Sequence, residues 1–318
     1  MSETASTNPA SDLWVCPVCR GELTSSAPDG NACASACESC GLAFPVVEGM
    51  PVLVRSSARR LEEMKRSIRE NPAWYESAQL EWYDRGPCRH HLAQRRRYVE
   101  SALRAWLAPS GKAPRLLDLG CGDGANARWL VDFTERLEGC DYNLLRLKRC
   151  RNLIGSGIRL CLADVHELPY PSNAFDVVFF NRVLEHVPDD VAALRSVRRV
   201  LRPGGLLVLG VPNAGCACMR MAYRLQPALA ANSDHVQSYT APLIEERCRA
   251  AGLEVRETHH IGWGPPHLKL DEFLRQYRWV DTLFAIIGRL FFRRQSTSLY
   301  LLLTKRAPDS GGEPSGEA

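Results

Sequence analysis

The sequence lacks several things, and each absence excludes a class of protein. No apolar run reaches ~18 residues, so no membrane-spanning helix is expected. The opening segment, MSETASTNPASDLW, has neither a basic start nor an apolar centre, so it does not read as a secretory signal, and a cytoplasmic location is expected. Lysine is scarce, and arginine supplies nearly all of the positive charge. The formal net charge is only +4, too small to favour a nucleic-acid partner. With 45% hydrophobic and 24% charged residues among 318, wholesale disorder, collagen and a small disulfide scaffold are excluded. The length fits two domains, or one large domain with appendages.

Cysteine, by contrast, is abundant. Five of the 13 crowd the first 40 residues. In a reduced compartment, clustered thiols point to metal rather than to disulfides. Cys16-Pro17-Val18-Cys19 and Cys37-Glu38-Ser39-Cys40 form C-x2-C-x17-C-x2-C, in which each pair can turn tightly enough for four thiolates to meet one tetrahedral Zn²⁺. Four thiolates leave no open position, so such a zinc is structural. Cys33 is a spare whose spacing to Cys40 does not suit a knuckle. The alternative is a small ribbon that keeps its fold without metal.

Beyond residue 110, strands and helices alternate. The apolar runs Arg115–Leu119, Leu137–Asp141, Ile158–Ala163, Phe175–Asn181 and Leu206–Val211 read as strands. Helical patterns over Ala125–Leu137, a stretch ending near Leu153, and Asp190–Leu201 separate them. That rhythm implies an α/β fold with a parallel sheet and helices on both faces. Pro242–Ala251 reads as a helix, and Leu253–Ile261 and Ser298–Thr304 as final strands. Residues 58–107, 212–239 and 268–294 have helical tendency.

The first of these strands runs into Gly120-Cys121-Gly122-Asp123-Gly124, where glycines permit a sharp turn and close approach to a ligand before a helix N-terminus. Asp141 ends the second strand and Asp164 follows the third. Gly loop, Asp and Asp in succession describe a nucleoside-shaped crevice at the carboxyl edge of the sheet. The stretches LLDLGCGDG, GCDYN, LADVHELPYPSNAFDVVFFNRVLEHVPD and RRVLRPGGLLVLGVPN, spanning about residues 115–213, resemble class I S-adenosylmethionine-dependent methyltransferases. The resemblance implies a Rossmann-like seven-stranded sheet whose last strand is antiparallel. It also implies that S-adenosylmethionine is held by Asp118, Gly120, Gly122, Gly124, Asp141, Tyr142, Asp164, Val165 and Asn181, with Arg182 nearby. Turn capping by Asp118 and a plain surface position for Tyr142 are the structural alternatives.

No Asn/Asp-Pro-Pro-Tyr/Phe follows the fourth strand, as exocyclic-amine methylation would favour. The Leu184-Glu185-His186-Val187 present there resembles small-molecule and lipid O- or C-methyltransferases, including the quinone-biosynthesis type. Two histidines compete as general base: His186, otherwise a structural residue of its turn, and His235, whose neighbour Asp234 could orient it. The segment Phe44–Val54 resembles zinc-ribbon-like domains found alone or fused before methyltransferases.

The expected organisation is a disordered segment 1–12, a zinc-ribbon-like domain 13–55, a helical linker or lid 56–110, a methyltransferase domain 111–306 with insertions 213–239 and 266–295, and a disordered tail 307–318. The apolar helical stretch 268–294 could pack on the core, cover an apolar substrate or touch a membrane peripherally. The favoured activity is O-methylation of a small-molecule or lipid-like acceptor. The alternatives are rRNA methylation of the guanine-N1 type, with the ribbon and Arg95-Arg96-Arg97 gripping RNA, and a non-catalytic cofactor-binding or partner protein. A three-arginine run usually just solvates a helix face.

Overall fold

The computed structural model describes residues 13–26, 34–56, 59, 61, 62, 65, 66, 79–108, 111, 113–226 and 235–306. The expected disordered ends, Cys33, Asp234 and most of 57–78 lie outside the described residues.

Four short strands come first: β1 (Leu23–Ser26), β2 (Ala34–Cys37), β3 (Ala43–Val47) and β4 (Met50–Leu53). The β3–β4 hairpin turns at Glu48-Gly49, both with positive φ (50° and 74°), the twist that suits a two-residue hairpin. Helices α1 (Gln79–Arg85) and α2 (Arg89–Leu107) follow. The alternating part then runs β5 (Arg115–Leu119), α3 (Ala127–Leu130), β6 (Arg136–Asp141), α4 (Leu144–Ile154), β7 (Arg159–Ala163), β8 (Phe175–Asn181), α5 (Asp190–Val200) and β9 (Leu201–Pro212). The chain ends with α6 (Ala217–Leu225), α7 (Ala241–Ala250), β10 (Leu253–Ile261), α8 (Leu268–Arg275), α9 (Arg278–Phe291) and β11 (Ser298–Lys305).

The sheet order is β1-β2-β3-β4-β7-β6-β5-β8-β9-β11-β10. Strands β7, β6, β5, β8 and β9 are parallel, and β11 enters antiparallel between β9 and β10. The expectation of seven strands is therefore corrected to 11. The cause is β4. Its four residues are all buried, and Val52 and Leu53 pair in parallel with Leu162 and Ala163 of β7. Without β4, the outer edge of β7 would expose a row of unpaired backbone groups.

Alternation along the strands divides the core between the two faces. Leu117, Val178 and Leu207 belong to one cluster, and Leu116, Val177 and Leu206 to the other. The first cluster also takes in Leu13, Cys16, Cys37 and Phe44, so one core spans both the cysteine segment and the alternating part. Helix α5 presents Ala193, Leu194, Val197 and Val200 to that core. It starts where Asp189 accepts a hydrogen bond from the Ala192 N–H (2.9 Å).

Three elements differ from expectation. Helix α3 has four residues and passes into a 3-10 turn, because Thr134 bonds to the Pro114 carbonyl and accepts from the Arg136 N–H, starting β6 early. Strand β9 begins at Leu201 and carries Pro203-Gly204-Gly205 through an irregularity opposite Phe175–Val177. The late helical stretch breaks at Gln276-Tyr277 into α8 and α9, and in 213–239 only Ala217–Leu225 is helical among the described residues.

Candidate functional site

The carboxyl ends of β7, β6, β5 and β8 lie side by side and carry the expected crevice residues. After β5, Gly120, Gly122 and Gly124 all have positive φ (74°, 53° and 87°). Gly120 is held down by its N–H to the Cys140 carbonyl (2.8 Å), and a Cβ there would run into Val183 Cγ2. Gly124 does a different job, because a Cβ there would meet Cys150 Sγ of α4 at 3.0 Å, so it lets loop and helix pack.

Asp118 lies beneath the loop, 2% exposed, with Oδ2 unpartnered. Burial, reinforced by the Asp141 charge, pushes its carboxyl up to about 8. Asp141 ends β6, where it accepts from the Gly122 N–H (2.9 Å) and the Asn143 N–H (2.8 Å). Burial raises its pKa, against the pull of those N–H groups and Arg146.

Asp164 accepts from the His166 N–H (2.9 Å), and its Oδ1 lies 2.7 Å from His166 Nδ1. Tyr142 is exposed, and with Asp164, Val54 and Arg55 it lines a cavity of about 350 Å³, while Val165 begins a 3-10 turn beside it. Asn181 ends β8 with a buried, unpartnered Oδ1 set against Gly210, where any Cβ would collide with it.

Asn181 opens into a second cavity, of about 300 Å³, between the start of α2, the start of α3 and the end of β8. Tyr83, Arg95, Trp129, Phe179 and Arg182 are among its walls. Sequence reasoning weighed Arg95 only as part of the Arg95-Arg96-Arg97 run and passed over His166. A larger cavity, about 450 Å³, lies apart from this edge, between α2, β10 and α9.

The two histidines come together. His186 and His235 stack edge to face with centroids 5.0 Å apart, both exposed. The Glu185 carbonyl accepts from the Val236 and Gln237 N–H groups (2.9 and 3.0 Å), and Tyr239 donates to Asp190 Oδ2 (3.1 Å). These bonds pin the 235–239 segment onto the turn after β8.

Cys16, Cys19, Cys37 and Cys40 gather with all four sulfurs within 4.8 Å of one another. Cys16 Sγ lies 3.7 Å from Cys40 Sγ and Cys19 Sγ 3.3 Å from Cys37 Sγ, against about 3.8 Å for the edge of a tetrahedron with metal–sulfur bonds near 2.3 Å. Each pair closes on a residue with positive φ, Arg20 (65°) and Gly41 (70°), and the Gly21 N–H points at Cys19 Sγ (3.4 Å). Burial opposes ionisation of Cys37, but the N–H groups of Cys40 and Ser39 and the Cys19 thiol outweigh it and bring Cys37 down to about 7. The donor set fits a tetrahedral thiophilic ion.

Helix α9 leaves Trp279, Leu283, Ile286, Leu290 and Phe291 exposed. No helix among the described residues is long and apolar enough to cross a membrane.

Comparison with known proteins adds relatives to this geometry. A family model described as a methyltransferase domain matches residues 117–209. The 27-O-demethylrifamycin SV methyltransferase of Amycolatopsis mediterranei is 35% identical over 233 residues, 64% of this chain and 81% of that protein. A probable S-adenosylmethionine-dependent methyltransferase of Mycolicibacterium smegmatis is 29% identical over 156 residues, 49% of this chain. The match spans only 58% of that relative's length. Among solved structures, a chain of the complex between the Haloferax volcanii Trm112 methyltransferase activator and a methyltransferase has the same fold. It superposes with TM-score 0.54 at 20% identity, over 74% of this chain and 97% of that one.

Proposed function

Because the chain belongs to the class I S-adenosylmethionine-dependent methyltransferases, we propose that it transfers a methyl group to a hydroxyl oxygen of a small-molecule acceptor. The observation that carries this reading is the placement of the glycine loop, Asp141, Asp164 and Asn181 at the carboxyl ends of four neighbouring parallel strands. The A. mediterranei relative, an O-methyltransferase by name, supports oxygen as the attacking atom.

Bound S-adenosylmethionine supplies a methyl group already activated on a sulfonium. The chain's own residues then bind and orient. Gly120, Gly122 and the unpartnered Asp118 Oδ2 would face the amino-acid end of the cofactor, with Asp118 towards its ammonium group. Asp141 would hold the ribose hydroxyls, exchanging its present N–H partners for them. Tyr142, Asp164 and Val165 would take the adenine, and Asn181 would stand near the reacting centre. Gly124 would contribute through packing. His235, set against His186, would accept the acceptor's hydroxyl proton at a ring nitrogen. A positioned base of this kind is worth ~10²–10⁴-fold.

Within the same reading, Cys16, Cys19, Cys37 and Cys40 hold a structural zinc in an N-terminal unit, 13–55, ahead of a transferase part, 111–306. The exposed α9 face serves peripheral contact with a lipid-like substrate or its membrane. Co-sedimentation with anionic liposomes that survives deletion of 268–294 would count against that contact.

The deciding experiment incubates the protein with methyl-labelled S-adenosylmethionine and a cell extract, then separates RNA from organic-extractable material. Label is expected in the organic phase. His235→Ala should lower that incorporation ~10²-fold or more while leaving S-adenosylhomocysteine affinity unchanged. Label confined to RNA would overturn the small-molecule reading, and equal turnover in mutant and wild type would remove His235 from the mechanism.

A further inference from the structure

The cavity of about 450 Å³ between α2, β10 and α9 shares no lining residue with the cavity beside Asn181. Helix α2 stands between them, giving Arg96 and Val99 to the one beside Asn181 and Arg97 and Tyr98 to the other. The lining of the larger cavity holds three arginines, Arg97, Arg289 and Arg293, two histidines, His259 and His260, and no carboxylate. None of these guanidiniums donates a hydrogen bond or closes an ion pair among the described residues. The acids just outside the lining are engaged. Glu257 accepts from Tyr98 (3.2 Å) and faces His259 Nδ1 at 3.4 Å. Glu245 accepts from Thr258 (2.7 Å) and pairs with Arg249 (2.8 Å), and Asp281 is taken by Arg275 (2.6 Å). A cleft lined by one sign of charge, with low-dielectric walls, concentrates ions of the other sign.

The histidines add donors without adding charge. Burial lowers both imidazole pKa values, and the Arg293 charge adds to the effect. The His260 ring is fixed through Nδ1 to Ser296 Oγ (3.0 Å), and His259 stacks on Tyr98 with centroids 4.0 Å apart. The remaining wall is apolar. Trp263 lies flat against Phe292 (4.9 Å between centroids), and its buried Nε1 has no acceptor. Gly288 makes room for this ring, since a Cβ there would meet Trp263 Cβ at 2.7 Å.

Helix α9 joins this cationic cavity to an apolar surface. Arg289 and Arg293 follow Ile286 at helical spacing, and Ile286 also belongs to the exposed stripe of Trp279, Leu283 and Leu290. A ligand that satisfies both features is anionic at one end and apolar at the other. A phosphate monoester approaches two negative charges at neutral pH and offers three acceptor oxygens, whereas a carboxylate has one charge and two oxygens. Three guanidiniums match the phosphate.

We propose that Arg97, Arg289 and Arg293 form the headgroup site for a lipid phosphate monoester whose chains run along the apolar stripe of α9. The site shares no wall with the cavity beside Asn181, so the lipid held there anchors the chain and leaves the acceptor's place free. The proposal rests on the peripheral contact of α9 put forward above and names the headgroup which that contact reads.

The test sediments the full chain with phosphatidylcholine vesicles that contain either phosphatidic acid, a monoester, or phosphatidylglycerol, a diester, matched for surface potential. Wild type should bind the phosphatidic acid vesicles about tenfold more tightly or better, the worth of one charge-assisted hydrogen bond. Arg289→Gln with Arg293→Gln should abolish that preference, and Arg97→Gln, on a different helix, should lower it alone. Lys269→Gln with Arg278→Gln removes as much charge from the same insertion, outside the cavity lining, and should keep the preference. All five side chains are exposed, so these variants should melt with wild type. Equal binding to both kinds of vesicle, or an equal loss in the two double variants, overturns the proposal and leaves only diffuse attraction to anionic surfaces. Glycerol 3-phosphate carries the same headgroup without chains and should bind far more weakly than the vesicles. Equal affinity for it overturns the lipid assignment and gives the site to a soluble phosphate ester. Failure of the α9 reading looks different: the chain would sediment with neither kind of vesicle, which overturns both.

Discussion

The carboxyl of Asp118 is 2% exposed, and burial with the Asp141 charge pushes its pKa up to about 8. In the unfolded chain the same group titrates near 3.8. The native state therefore holds this proton more tightly, and stability falls as pH rises from about 4 to about 8. Asp118→Asn removes that loss. The variant should melt above wild type at pH 9, and the difference should shrink towards zero at pH 5. A cationic ligand set against Asp118 favours its ionised form, so S-adenosylmethionine binding near pH 7 should release up to one proton. Calorimetry in buffers of different ionisation enthalpy reads that release, which Asp118→Asn should abolish. An unchanged melting difference between pH 5 and pH 9 would show that Asp118 is ionised throughout. The positions of Asp141, Asp164 and Asn181 were legible in the sequence because each closes or follows an apolar run, and that of Asp118 because it is the one acid inside the run before the glycines. Arg95 was hidden inside Arg95-Arg96-Arg97, a run that reads as a solvated face. Its helical phase tells otherwise: Leu92, Val99 and Leu103 are buried, and Arg95 stands three residues after the first and four before the second. Arg96 and Arg97 face out.

Among the elements, β4 shows what a linear pattern cannot display. Its apolar run Met50–Val54 is plain in the sequence, but its partner β7 lies over 100 residues onward, and a parallel pairing leaves no hairpin signal to connect them. The alternating strands were legible because each has a short apolar run with helix periodicity on either side. Helix α3 and strand β9 were misjudged where a tertiary hydrogen bond, from Thr134 to Pro114, and a strand irregularity at Pro203-Gly204-Gly205 overrode local signals. The pairing of β4 makes a prediction at its own scale. Leu53 is fully buried at the join, so Leu53→Ala should cost about 2–5 kcal/mol in urea unfolding of the whole chain. If β4 is an independent appendage, the main transition will not move and only a minor early phase will.

Across the whole molecule, the cysteine knuckles and the methyltransferase sheet share one core, because Leu13, Cys16, Cys37 and Phe44 pack in the same cluster as Tyr170, Phe180 and Leu194. Whatever holds the knuckles closed therefore stabilises the sheet beyond β4. A zinc ion bound to the native state alone adds its binding free energy to folding, and a chelator withdraws it. The purified chain should release one zinc per molecule when its thiols are modified with a mercurial and the metal is read with a colorimetric chelator. Prolonged treatment with a strong chelator should lower the melting temperature of the single main transition by several degrees, and Cys40→Ser should do the same without a chelator. Four thiolates close the coordination shell, so the metal has no position to offer a substrate. S-adenosylhomocysteine affinity measured well below the melting transition should accordingly be the same with and without zinc. A fall in affinity at a temperature where the chain is still folded would instead couple the cluster to the cofactor crevice. The path for such coupling is short: β4 pairs with the strand that delivers Asp164, and Arg55, just past β4, grips Glu167 at 2.5 Å beside it.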